Sequence, residues 1–250
     1  MVATSEIPGV SAAVMAEVDR LAVDQYGIEL LQMMEQAGAH LAEVVRLELG
    51  GDLRDRTVIV VAGPGNNGGG GLAAARHLQN RGAAVEVFLA RPALRTTGAA
   101  RHQLATLLAM DVPCCVTGYD LTDRDLEAAL AGADVIVDAL LGYSIAGAPR
   151  GEVEHLIECV LRCGRPVVSL DLPSGIDPDS GDVFGSAIRA SATLTLALPK
   201  LGLLTERGTS AAGRLYLGDL GLPAALYAEL GFDTGPIFAT GPLLRLEGPA

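Results

Sequence analysis

Lysine is nearly missing from this chain: it occurs once, at Lys200, and the other long cationic side chains are all arginine. The net charge is −12 and no basic run offsets it, which excludes nucleic-acid binding on electrostatic grounds. No apolar run approaches the roughly 20 residues of a membrane span, and no membrane partner is expected. The opening Met1–Pro8 lacks the basic and apolar regions of an export signal. Cysteine is scarce as well. Cys114-Cys115 and Cys159/Cys163 lack zinc-ligand spacing, so reduced thiols in a cytoplasmic protein are expected. No Lys-Ser/Thr follows the glycine-rich stretch, which excludes a P-loop, and no H-E-x-x-H occurs among the four histidines, which read as structural.

What is present is a core. Half of the 250 residues are apolar and 19% are charged, a composition that folds. Residues 11–25 and 29–48 repeat apolar positions every three or four residues and predict two helices. Short apolar runs then alternate with helical segments. Strands are expected at 58–62, 84–90, 112–116, 135–139 and 167–170, with two more at 192–198 and 214–217; helices are expected at 71–80, 98–110, 123–131 and 152–163. This is the pattern of a Rossmann-like, three-layer α/β/α sandwich with a mostly parallel sheet. One domain over 1–250 is expected, with 1–50 a helical N-terminal extension and 236–250 a loose tail.

The first of these strands runs into six glycines among the nine residues 63–71. A glycine-rich turn opening a helix presents bare backbone, free N–H groups and a positive dipole end, which suits a phosphate. With the first five strands in the order 3-2-1-4-5, the ligand crevice lies between 58–62 and 135–139, with 167–170 beside it. The loops at those strand ends carry Asn66 and Asn67, Asp138, and Asp171 with Ser174. Each has a plainer reading: Asp138 as a cap, Asp171–Gly175 as a turn, Asn66-Asn67 as left-handed turn residues. Their joint placement favours function. A hydride-transferring dinucleotide enzyme is disfavoured, because 84–90 is followed by Arg91 where that fingerprint wants a carboxylate.

These motifs resemble the NAD(P)H-hydrate epimerases, the YjeF N-terminal domain family. Val18–Ala22 and Met34-Glu-Gln-Ala-Gly38 are similar to its leading helices, and Gly63–Gly71 to its G-P-G-N-N-G-G-D-G loop. Asp138–Gly142, Asp171–Asp177 and Pro199–Gly202 are similar to its later segments. The resemblance implies interconversion of the R and S epimers of hydrated NADH or NADPH (NADHX, NADPHX), whose nicotinamide ring carries a hydroxyl at C6. It implies K+ held by Asn67, Asp138 and Ser174. Substrate contacts are implied at Asn66, Asn67, Gly68, Gly69, Gly70, then at Gly142, Tyr143, Ser144, Ile145, Ala146, Gly147, Ala148, and at Asp171. Asp171 is the candidate general acid/base. A separate ADP- or ATP-dependent dehydratase acting on the S form and a homodimeric assembly are the implied partners. One departure stands in the central loop: Gly70 replaces the family's usual aspartate, and a lost hydrogen bond to a charged group costs about 1.5–3 kcal/mol. A catalytically silent nucleotide-binding or interaction module of the same family is therefore the alternative.

Overall fold

The computed structural model describes residues 2–3, 7–92, 98–145 and 147–247. Two helices come before the main run of strands, α1 (Ala12–Asp24) and α2 (Leu30–Glu48). Ser11 caps the first by accepting from Val14 N, and a Glu29/Gln32 capping box opens the second. Then β2 (Thr57–Ala62), α3 (Asn66–Asn80), β3 (Ala84–Leu89), α4 (Gly98–Ala109), β4 (Cys114–Val116), α5 (Asp123–Gly132), β5 (Val135–Ala139), α6 (Glu152–Cys163) and β6 (Val167–Leu170) alternate. The chain closes through β7 (Ala192–Leu196), α7 (Glu206–Ala212), β8 (Arg214–Gly218), α8 (Ala224–Glu229) and β9 (Leu243–Glu247), beside which the two-residue β1 (Val2–Ala3) pairs.

Among the described residues these strands form one nine-stranded sheet in the order β1-β9-β8-β7-β6-β5-β2-β3-β4. Every neighbouring pair is parallel except β8 with β9. Helices cover both faces, and the strand residues alternate between two cores as a period of two requires. Val58, Val60 and Ala62 pack with α2 and α3, whereas Ile59 and Val61 pack with α5 and α6. No helix among the described residues is long and apolar enough to cross a membrane.

Several boundaries differ from expectation by one or two residues, and two differ by more. The glycine run is not a loop before α3 but its first turns, since the helix starts at Asn66 and not near Gly71. The expected tail contains β9, whose Leu244 and Leu246 are buried against β8. Nor do α1 and α2 stand apart as an extension: Val18, Leu41, Val44 and Val45 belong to the same core as the sheet.

Candidate active site

The strand order reverses at β2, with β3 on one side and β5 on the other. A cavity of about 480 Å³ opens there, at the carboxyl ends of the strands where such sheets take ligands. Met15, Leu30, Met33, Met34 and Ala37, from or beside α1 and α2, make an apolar wall. Facing it are the N-terminus of α3, the loop after β5, Asp171 and Lys200.

Asp171 follows β6 in a left-handed conformation, φ 71°, which non-glycine residues adopt only under constraint. Its N–H donates to Leu194 O at 2.6 Å, and Tyr143 N donates to its Oδ2 at 2.8 Å. Lys200 Nζ stands 2.5 Å from Oδ1 as an ion pair, although Oδ1 makes no aligned hydrogen bond. Lys200 is fully buried and Asp171 is 4% exposed. The ammonium also donates to Leu196 O at 3.0 Å and lies 5.8 Å from the Tyr143 ring centre. Tyr143 reaches the other way too: its hydroxyl donates to Asp19 Oδ2, on α1, at 2.5 Å. Burial pushes the Asp19 carboxyl and the Tyr143 phenol above their usual ranges.

Asp138 lies beneath this surface, fully buried and in register with Val61 on one side and Ser169 on the other. Its Oδ1 accepts from Ser174 Oγ at 2.6 Å and Leu140 N at 3.2 Å; its Oδ2 accepts from Ser169 Oγ at 2.8 Å and Ser174 N at 2.9 Å. Burial raises this carboxyl too, against the pull of those donors. Asn67 joins the group through the backbone. Its Nδ2 donates to Leu141 O at 2.9 Å and to Leu170 O at 3.3 Å, and Leu141 N donates to Ser174 Oγ at 3.0 Å. The three loops expected to converge are thus linked by a continuous chain of hydrogen bonds.

The glycines have a different reason from the one expected. A Cβ at Gly68 would stand 1.9 Å from Gly63 O, at Gly69 2.7 Å from Met34 Sδ, and at Gly71 2.4 Å from the Ala139 Cβ. Gly71 and Gly69 let α3 lie close on the sheet and on α2, Gly68 lets the turn from Gly63 fold back on the helix, and none of the three clears space for a ligand. Gly70 borders the cavity, and a Cβ there would meet Leu170 Cδ2 at 2.7 Å. Asn66, Asn67, Gly142, Tyr143, Ser144 and Asp171 also line the cavity. Gly68, Gly69, Ile145, Gly147 and Ala148 do not; Gly147 and Ala148 are exposed, and Ala146 lies outside the described residues. With Gly65 as cap and no side chain bonded at the cap, the α3 N-terminus borders the cavity through Gly65, Asn66 and Asn67, and helix N-termini favour anions. Sequence reasoning missed the parts played by Lys200, Asp19 and the Tyr143 hydroxyl. The rarity of lysine was the available sign for the first; for Asp19, on a helix 152 positions before Asp171, spacing alone offered none.

A model of the family described as YjeF-related protein N-terminus matches residues 30–202, more than half of the chain. The chain belongs to this family. Among members of known name, it is 42% identical to the NAD(P)H-hydrate epimerase of Dehalogenimonas lykanthroporepellens, over 96% of this chain and 93% of that one. It is 38% identical to the NAD(P)H-hydrate epimerase of Truepera radiovictrix, over 94% and 99%. The bifunctional NAD(P)H-hydrate repair enzyme Nnr of Moorella thermoacetica is 39% identical over 90% of this chain, which spans only 42% of that enzyme's length. The crystal structure of yeast ynu0 superposes with a TM-score of 0.83 at 29% identity, covering 96% of this chain and all of that one. This agrees with the Rossmann-like sandwich expected from the sequence.

Proposed function

We infer that this chain is an NAD(P)H-hydrate epimerase, an isomerase that interconverts the R and S forms of NADHX and NADPHX. The similarity to epimerases of nearly the same length supports the activity. The observation that carries it into chemistry is one cavity holding both a free helix N-terminus and the Asp171 carboxylate. The diphosphate is placed at the α3 N-terminus, where N–H groups and the helix dipole favour anions. The hydrated nicotinamide ring then lies toward Asp171 and the apolar wall. Asp171 takes or gives the proton of the C6 hydroxyl, a task that calls for a carboxylate within hydrogen-bond reach. Lys200 and Tyr143 N fix its orientation from either oxygen.

Asn67, Asp138 and Ser174 fit a potassium ion by donor chemistry, since all three offer oxygen and Asp138 is a buried carboxylate with no ion-pair partner among the described residues. No group of three or more His, Cys, Asp or Glu suited to other metals occurs among the described residues. When bound, the cation offsets carboxylate charge and ties the three loops together. The reading also carries a dehydratase acting on the S form, a cytoplasmic setting and a homodimer. The test mixes purified protein, R-NADHX and an S-specific dehydratase, with potassium or sodium, and follows NADH absorbance. Recovery above the spontaneous rate, faster in potassium, is expected; recovery at the spontaneous rate rejects the function.

A further inference from the structure

When water leaves and re-adds at C6, the hydroxyl departs from one face of the ring and returns on the other, and Asp171 is fixed on one side of the cavity. A second carboxyl faces the same space. Asp19, from α1, lines the cavity and is bridged to Asp171 by a single residue: Tyr143 donates its N–H to Asp171 Oδ2 at 2.8 Å and its hydroxyl to Asp19 Oδ2 at 2.5 Å. The two carboxyls are therefore held one tyrosine's length apart. Their surroundings are unlike. Asp171 is paired with Lys200, whereas Asp19 makes no ion pair among the described residues. The groups acting on Asp19 are Tyr143, Lys200, Asp171 and Tyr227, and burial dominates, favouring its protonated form. Two carboxyls in one site, one ion-paired and one drawn by burial toward its protonated form, have the unlike surroundings that an acid and a base require.

We propose that Asp19 is a second catalytic residue of the epimerisation, serving the ring face opposite Asp171. This rests on the epimerase reading. In one direction the Asp19 carboxyl gives its proton to the C6 hydroxyl, and the C6–O bond breaks with its electron pair leaving as water. The ring nitrogen's lone pair forms the C6=N1 iminium. A water on the other face then bonds to C6, its lost proton going to Asp171 as the iminium pair returns to N1. One proton has passed from Asp19 to Asp171 and returns through solvent between turnovers; the reverse direction begins with Asp171 as acid.

The experiment compares wild type, Asp19→Asn and Tyr143→Phe in the potassium-containing coupled assay with R-NADHX, and separately incubates wild type with R-NADHX in heavy-oxygen water without the dehydratase, with mass analysis of the S epimer formed. Asp19→Asn is expected to lower kcat about a hundredfold or more with KM little changed, the scale of a lost general acid. Tyr143→Phe removes the bridge but leaves the carboxyl, and is expected to lose only about tenfold, the worth of one hydrogen bond. The product epimer is expected to carry the heavy oxygen. Wild-type kcat in Asp19→Asn, equal losses in the two variants, or an unlabelled product overturns the proposal while the epimerase reading stands. A wild type that does not accelerate epimerisation overturns both.

Discussion

At the scale of single residues, the site turns on one buried ion pair. Asp171 and Lys200 are both withdrawn from water, and removing one partner of such a pair leaves the other charge unpaired. Lys200→Met is expected to destabilise the fold by about 3–5 kcal/mol in denaturant titration, and Asp171→Asn/Lys200→Met together by clearly less. Equal losses in both would show that the pair carries no such coupling. Gly70 is a second residue-scale test. Placing aspartate there puts a Cβ 2.7 Å from Leu170 Cδ2, the end of a side chain that can turn aside, so Gly70→Asp is expected to cost about 1 kcal/mol of stability or less in denaturant titration while adding a carboxylate at the cavity wall. Asp138, Asp171, Ser174 and Asn67 were legible beforehand because strand ends and a switch point say which loops meet. Lys200 and Asp19 were not, because their part depends on side chains crossing between elements distant in sequence.

At the scale of elements, α3 does two things at once. Its N-terminus opens to the cavity, and its first turns press on β5 and α2 through glycines. Gly71→Ala would set a Cβ 2.4 Å from that of Ala139 and is expected to lower stability by about 1–3 kcal/mol. Gly132→Ala, at the end of α5 with nothing within 4 Å of the added Cβ, is expected to be neutral or to gain about 0.4–1 kcal/mol. Thermal unfolding of the two variants checks the contrast, and a loss at Gly132 as large as that at Gly71 would contradict it. The run of glycine itself was plain in the sequence; its reason was not. A glycine that admits a ligand and one that admits a neighbouring strand look alike until the neighbour is known, and low helix propensity hid the true start at Asn66.

At the scale of the whole molecule, the order of strands brings Asn67, Asp138, Asp171 and Lys200 to one end of the sheet, while α1 and α2 close the cavity from above. The parallel order was legible from alternating apolar runs and helices. The antiparallel β9 was not, because Leu243–Glu247 follows Gly235-Pro236 and Gly241-Pro242, which suggested a tail. The central claim is that Asp171 in this cavity exchanges the epimers of a hydrated nicotinamide nucleotide. Its most direct test starts from pure S-NADHX with no dehydratase and follows appearance of the R form by chromatography, for wild type and Asp171→Asn. Wild type is expected to reach the equilibrium mixture well ahead of the uncatalysed control, and Asp171→Asn to fall behind it by a factor of about 10²–10⁴. An Asp171→Asn protein that matches wild type would contradict the account.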